Sequence, residues 1–278
     1  MKLIECPRDA IQGIKAFIPT KEKIDYLNYL ISLDLFDVID FGSFVSKKAI
    51  PQMADTKEVV AGLDINNSKT KLLAIIANKR GAEDALNFQK IDFLGYPFSV
   101  SETFQRRNAN STIEESLQDV REIYDLCRKK DKELVLYLSM AFGNPYADEW
   151  NKSIVLHWID TFEKLGITII SLADTVGLAD EKLIGEICEE VFVKYPHLEI
   201  GVHLHSAPDS VLKKIKEVEE SGIKRFDGAI LGFGGCPMAK DELVGNMPME
   251  SLLTYFNKAN ENLIAEMKEK FLELIENV

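Results

Sequence analysis

The chain has 278 residues, 46% of them hydrophobic and 28% charged, which suits one folded unit of α/β-barrel size better than two ordinary domains and leaves no stretch compositionally disordered. Its formal net charge of −12 excludes a nucleic-acid surface, because phosphate contacts need clustered Lys and Arg. No uninterrupted apolar run approaches the roughly 20 residues of a membrane span, and no charged-then-apolar leader precedes Leu3, so neither secretion nor membrane anchoring is expected.

Short apolar, β-rich runs recur at residues 2 to 6, 37 to 41, 71 to 77, 90 to 94, 133 to 139, 167 to 172, 199 to 204 and 226 to 231. Helix-period stretches lie between them. Their start signals include Ser111 three residues before Glu114, Asp180 before the run from Glu181, and Ser206 three before Asp209. Regular βα alternation implies a parallel sheet with right-handed crossovers, and eight repeats in a chain of this length predict a closed (β/α)8 TIM barrel. One domain spanning residues 1 to 278 is expected, with a helical segment from about 249 to 278 as the last barrel helix plus an added one. Cys6, Cys127, Cys188 and Cys236 lie far apart without a CxxC pair, which points to a reducing, cytoplasmic setting and not to a disulfide framework.

In barrels of this kind the chemistry sits where strands end and βα loops begin. At the end of the seventh run, His203 and His205 are two apart in Val202-His203-Leu204-His205, so both project to one face and can share an ion. An isolated HxH is as often a pair of hydrogen-bonded core histidines. Pro7-Arg8-Asp9 shifts the balance, because it follows the first strand and falls on the same rim, where Asp9 can complete a metal site and Arg8 can face an anionic oxygen. After the eighth strand comes the glycine-rich Gly232-Phe233-Gly234-Gly235-Cys236-Pro237, then Gly245-Asn246. Cys236 on such a loop is a candidate acid or base that arrives with loop closure, and Asn246 a candidate neutral oxygen ligand. Two imidazoles, a carboxylate and an amide oxygen suit Mg²⁺ or Mn²⁺ with open positions for substrate. His157, in a helical pattern, and His197, in a turn, read as structural.

These residues in order resemble the hydroxymethylglutaryl-CoA lyase family, within the wider class of metal-dependent barrels that cleave or condense acyl-CoA esters. The likeness spans nearly the whole chain. It rests on Pro7-Arg8-Asp9, Ser43-Phe44-Val45-Ser46 with Pro51-Gln52-Met53, and Ser101-Glu102 with Asn108 and Ser111-Thr112-Ile113-Glu114-Glu115-Ser116. Asp174-Thr175-Val176-Gly177, the HxH and Gly234-Gly235-Cys236-Pro237 complete it. The resemblance implies a TIM barrel with Asp9, His203, His205 and Asn246 as ligands of Mg²⁺ or Mn²⁺, Arg8 as catalytic arginine, Cys236 as loop cysteine, and Asp174 and Tyr137 as polar active-site positions. It further implies an acyl-CoA thioester substrate, retro-Claisen cleavage of 3-hydroxy-3-methylglutaryl-CoA to acetyl-CoA and acetoacetate, and a homodimer.

In the roles that follow, Asp9 or a bound water takes the hydroxyl proton, Arg8 stabilises the enolate oxygen, and Cys236, or a water it positions, returns a proton to carbon. The chain departs from the family pattern at several places. Asp40 stands where the family has Glu, Ser206 where Asp commonly follows the HxH, and Ala10 where Gly is usual; the segment from Cys236 to Asn246 is one residue longer. These bear on the acyl group more than on the reaction type. Lys47, Lys48, Arg106 and Arg107 could meet CoA phosphates but read first as solvated surface. Two alternatives remain: a condensing synthase of the isopropylmalate or homocitrate type, and a barrel that binds acyl-CoA or metal without turnover.

Overall fold

Continuous apolar runs between helix-period stretches can bury both faces only if the strands close on themselves and the helices pack outside. The computed structural model, which describes residues 1–235 and 244–276, has that arrangement. The strands are β1 (Lys2–Glu5), β2 (Val38–Ser43), β3 (Lys71–Ile75), β4 (Phe93–Ser99), β5 (Glu133–Ser139), β6 (Ile169–Asp174), β7 (Glu199–Leu204) and β8 (Arg225–Gly228). They pair in parallel in chain order, and β8 returns to β1 with Lys2 opposite Arg225 and Ile4 opposite Asp227. The fold is a closed (β/α)8 TIM barrel.

The fourth strand lies further along than expected. It covers Phe93–Ser99 and not residues 90 to 94, because Gly95 and Pro97, which interrupt the apolar pattern, sit inside the pairing with β5. Gly95 is required there: a Cβ would stand 3.0 Å from the ring of Tyr137. β8 ends sooner than expected, at Gly228, because the chain tightens into a 3₁₀ turn, Ile230–Gly232, with Leu231 at φ 58°.

Helices α1 (Pro7–Gln12), α2 (Thr20–Ser32), α3 (Thr56–Gly62), α4 (Lys79–Ala85), α5 (Glu102–Ala109), α6 (Ile113–Lys129), α7 (Lys152–Leu165), α8 (Glu181–Lys194) and α9 (Val211–Glu220) follow the strands. Asp180 caps α8 as expected, accepting from the Leu183 amide. At α6 the capping box is Thr112 with Glu115, one residue later than expected. α9 starts after Ser210, so Ser206 is free of a capping role and instead pairs its amide with the Gly245 carbonyl.

The tail forms α10 (Met249–Tyr255) beside β8 and α9, and α11 (Glu261–Glu276), which returns to α2. Phe271 of α11 packs on Tyr26 and on Phe233, tying the tail to the loop after β8. Among the described residues no helix is long and apolar enough to cross a membrane, and Cys6, Cys127 and Cys188 are buried free thiols.

Candidate active site

The βα loops at the carboxyl ends of the strands enclose a cleft of about 450 Å³, within the size range of small-molecule sites. One side is polar and is built from β1, β7 and the chain returning at 244–248. α1 begins directly after β1, with Pro7 as its first residue, so Arg8 and Asp9 are held as the second and third residues of a helix and not on a loose loop. His203 and His205 project from the end of β7. His205 also forms an antiparallel bridge with Asn246, which carries that amide from a distant segment to the same point.

Asp9, His203 and His205 each offer a ligand atom within 4.8 Å of the others. The Asp9 Oδ2 lies 3.6 Å from His203 Nε2 and accepts a hydrogen bond from Asn246 Nδ2 at 2.9 Å. Asn246 Nδ2 also donates to the Phe233 carbonyl, so its amide is fixed with the oxygen turned the other way. That Oδ1 is buried without a hydrogen-bond partner, and so is His205 Nε2. Buried lone pairs of this kind are costly unless something accepts them. An open imidazole nitrogen on His205, with the Asp9 carboxylate and His203 within reach of the same point, fits a divalent cation. Gly234, at φ +94°, allows the close approach: a Cβ there would be 2.6 Å from the Asp9 carbonyl oxygen.

The outer partners fix each imidazole. His205 Nδ1 donates to the Asp174 carbonyl at 2.6 Å, leaving Nε2 as the lone pair. Burial, with His203 adding to it, pushes His205 down to about 4, so it is neutral near pH 7. His203 Nδ1 faces Asp227 Oδ2 at 3.3 Å. Burial works against a charged His203, but Asp227 and Asp9 outweigh it and raise it to about 10. A cation between the ligands must displace that proton.

Arg8 stands beside this group. Its Nη2 donates to Asp40 Oδ2 at 2.5 Å and its Nε to the same oxygen at 3.0 Å, a two-point pairing, while Nη1 reaches Asp9 and Gln12. Burial opposes the guanidinium charge, yet Asp40 and Asp9 overcome it and keep Arg8 protonated. Burial pushes Asp40 up to about 6 against the pull of Arg8. For Asp9 burial acts upward too, but Arg8 and His203 prevail and hold its carboxyl well below the usual range. Gln12 Nε2 donates a further hydrogen bond to Asp9 Oδ1.

Tyr137 lines the cleft edge-on to His203, with ring centroids 5.8 Å apart. Asp174 turns its carboxylate away into its own loop, where it accepts from the Leu178 and Ala179 amides and faces Lys214 at 3.5 Å. Burial raises Asp174 and Lys214 opposes this. The contact it makes with the site is through its carbonyl. Cys236 lies outside the described residues. His197 pairs with Glu163 on the surface and His157 sits within α7, both apart from the cleft.

Asp227, Lys214 and Gln12 escaped the reading of the sequence. Asp227 had a signal, a charged residue inside the otherwise apolar run 226 to 231. Gln12 had a weaker one, four residues after Arg8 on one helix face. Lys214, whose Nζ donates to the His205 carbonyl at 2.9 Å, had none.

The family model HMGL-like matches residues 3–276. The chain is 32% identical over 247 residues to a hydroxymethylglutaryl-CoA lyase of Bacillus subtilis, covering 89% of this chain and 81% of that one. It is 32% identical over 256 residues to a cytoplasmic 3-hydroxy-3-methylglutaryl-CoA lyase of Danio rerio, covering 91% and 75%. Among solved structures, an HMG-CoA lyase from Acinetobacter baumannii in complex with coenzyme A and 3-methylmalate superimposes with a TM-score of 0.90 at 28% identity, covering 99% of this chain and 91% of that one. With matched residues, site and fold in agreement, the chain belongs to the HMGL-like family.

Proposed function

We propose that this chain is a divalent-metal-dependent carbon–carbon lyase that cleaves 3-hydroxy-3-methylglutaryl-CoA, or a close 3-hydroxyacyl-CoA analogue, to acetyl-CoA and a β-keto acid, acetoacetate for the parent substrate. The observation that carries this reading is the convergence of Asp9, His203 and His205 beside Arg8 at the cleft, with His205 Nε2 buried and without a hydrogen-bond partner. Its relatives by name act on the same thioester.

Asp9, His203, His205 and Asn246 would hold the ion, Mg²⁺ or Mn²⁺ by their mixed nitrogen and oxygen donors. When bound, a divalent ion there would supply Lewis acidity to the substrate hydroxyl. Asp9, or a water it positions, takes the hydroxyl proton; its depressed pKa keeps it ionised. The carbon–carbon bond between the thioester's α-carbon and the carbinol carbon then breaks. Its electron pair passes to the thioester enolate, and the carbinol carbon becomes a ketone. Arg8, with Nε, Nη1 and Nη2 already engaged, keeps one Nη2 N–H for the enolate oxygen. Asp40 acts through Arg8, fixing the plane of the guanidinium. Cys236, on the glycine-rich loop, is the proposed acid that returns a proton to the α-carbon and completes acetyl-CoA.

Opposite the polar side, Val45, Ile50, Ile75 and Phe104 form an apolar wall, with Arg107 and Asn108 beside it. This side suits the thioester arm, and Arg107 the CoA phosphates. One barrel domain over residues 1 to 278, a homodimer and a cytoplasmic location complete the reading. The test is a coupled assay of acetyl-CoA release from 3-hydroxy-3-methylglutaryl-CoA with Mg²⁺ or Mn²⁺ and with chelator. Metal-dependent release that disappears in Asp9→Asn supports it; absence of release from a metal-loaded protein overturns the substrate assignment.

A further inference from the structure

Below the metal ligands the barrel interior holds a charged residue in an unusual place. Arg225, on β8, is 2% exposed and faces inward one step along the strand from Asp227. It fits because the residue opposite on β7 is Gly201: a Cβ there would stand 2.7 Å from Arg225 Cδ and 2.8 Å from Cγ. Nη1 donates to Glu199 at the amino-end rim, 3.0 Å away. Nε and Nη2 are buried without a hydrogen-bond partner, and so are Asp227 Oδ1, the Tyr137 hydroxyl and the Ser171 hydroxyl. Tyr137, Ser171, Gly201 and Arg225 are neighbours in register across β5 to β8.

Each unsatisfied buried group is costly, and five together would consume a stability of the size that whole domains possess. They must satisfy one another through something small. Nε and Asp227 Oδ1 are 4.0 Å apart, too far for a direct hydrogen bond and a span that one water bridges. The other carboxylate oxygen of Asp227 faces His203 Nδ1.

We propose that an internal water site, bounded by Arg225, Asp227, Tyr137 and Ser171, couples Arg225 to Asp227 and thereby holds the His203 ring with Nε2 turned to the metal position. Arg225 is thus a positioning residue that acts from inside the barrel, and Gly201 is small to admit it. This rests on the metal site proposed above. Removing Arg225 leaves Asp227 free to rotate, and outer partners of a metal-binding histidine are typically worth ten- to a hundredfold in metal affinity.

The experiment is Mn²⁺ binding by titration calorimetry, together with proton NMR of the metal-free protein, on wild type, Arg225→Met and Gly201→Ala. Expected are a downfield, slowly exchanging His203 ring proton in wild type, identified by its loss in His203→Asn, and its disappearance in both variants. Mn²⁺ affinity should fall at least tenfold in each. If both variants keep the resonance and bind Mn²⁺ within twofold of wild type, Arg225 has no positioning role. Should Arg225→Met fail to fold by circular dichroism, Gly201→Ala decides, since it displaces the guanidinium and keeps the charge. Wild type that binds no Mn²⁺ would overturn the metal reading, while the ring proton would still decide the role of Arg225.

Discussion

The two sides of the cleft are built on different principles. The side formed by β1, β7, β8 and residues 244–248 is a connected set of buried polar groups, in which Asp9 alone is engaged by Arg8, Gln12 and Asn246. The facing side, from the loops after β2 to β4, is mostly apolar, and its few polar residues stand at the edge. A polar network fixes position sharply because each member has few satisfactory arrangements, whereas an apolar wall tolerates small shifts in whatever lies against it. On the proposed function the first side is where bonds change and the second where the bulk of the substrate rests, so substitutions on the two should separate kcat from KM.

The sharpest break comes from removing a charge on the polar side. Asp9→Asn retains the shape but not the ionised oxygen, and kcat should fall by about a thousandfold, on the scale of a lost general base or charge-stabilising group. Mn²⁺ should bind measurably more weakly in the same variant; a kcat within tenfold of wild type would place the chemistry elsewhere. Arg8→Lys should come next. A lysine keeps the charge but cannot form the two-point pairing with Asp40, so kcat should drop about a hundredfold with little change in KM.

The same pairing predicts the acid limb of the pH profile. A carboxyl raised to about 6 is ionised at pH 7 and takes up a proton as the pH falls through that value, which frees Arg8 from its fixed plane. Below pH 6, kcat/KM should decline by about tenfold per unit from this single group, and Asp40→Asn should remove the limb while lowering the plateau. A flat profile down to pH 5 in the wild type would show that Arg8 needs no ionised partner.

Much of this was legible in the chain itself. Runs such as 133 to 139 and 199 to 204 became β5 and β7 without adjustment, because continuous apolar residues between turns have no other way to be buried. β4 was misplaced because Gly95 and Pro97 break the pattern, and what makes them acceptable is a neighbour, the Tyr137 ring, that only barrel closure brings alongside. The HxH and the Arg-Asp pair were visible since each is local. Their supports were not: Asp227 lies 24 residues from His203, and Lys214 reaches His205 from a helix face that reads as solvated. Asp174 was placed in the site by resemblance, and its geometry shows a carboxylate spent on its own turn while its carbonyl orients His205.

The smallest expected effect tests whether the apolar side has a skeleton of its own. Asp148, in the segment after β5, accepts from the Thr103 amide at 2.9 Å and from the Thr103 hydroxyl at 2.7 Å, and it also takes the Ser101 hydroxyl. It thereby satisfies one of the open amides at the start of α5, the helix that carries Phe104, Arg107 and Asn108 to the cleft. Arg107 is steadied in turn by lying over the Tyr146 ring of the same segment, 4.6 Å from its centroid. Asp148→Ala should loosen α5 and leave Arg8 and the proposed metal ligands untouched. Loss of such a cap contact costs about 1 kcal/mol, a fall of roughly 2–4 °C in melting temperature for a protein of this size. KM for the thioester should rise about three- to tenfold at unchanged kcat, because a wall that shifts weakens binding of substrate and transition state alike. A fall in kcat at constant KM would instead mean that the two sides are mechanically one.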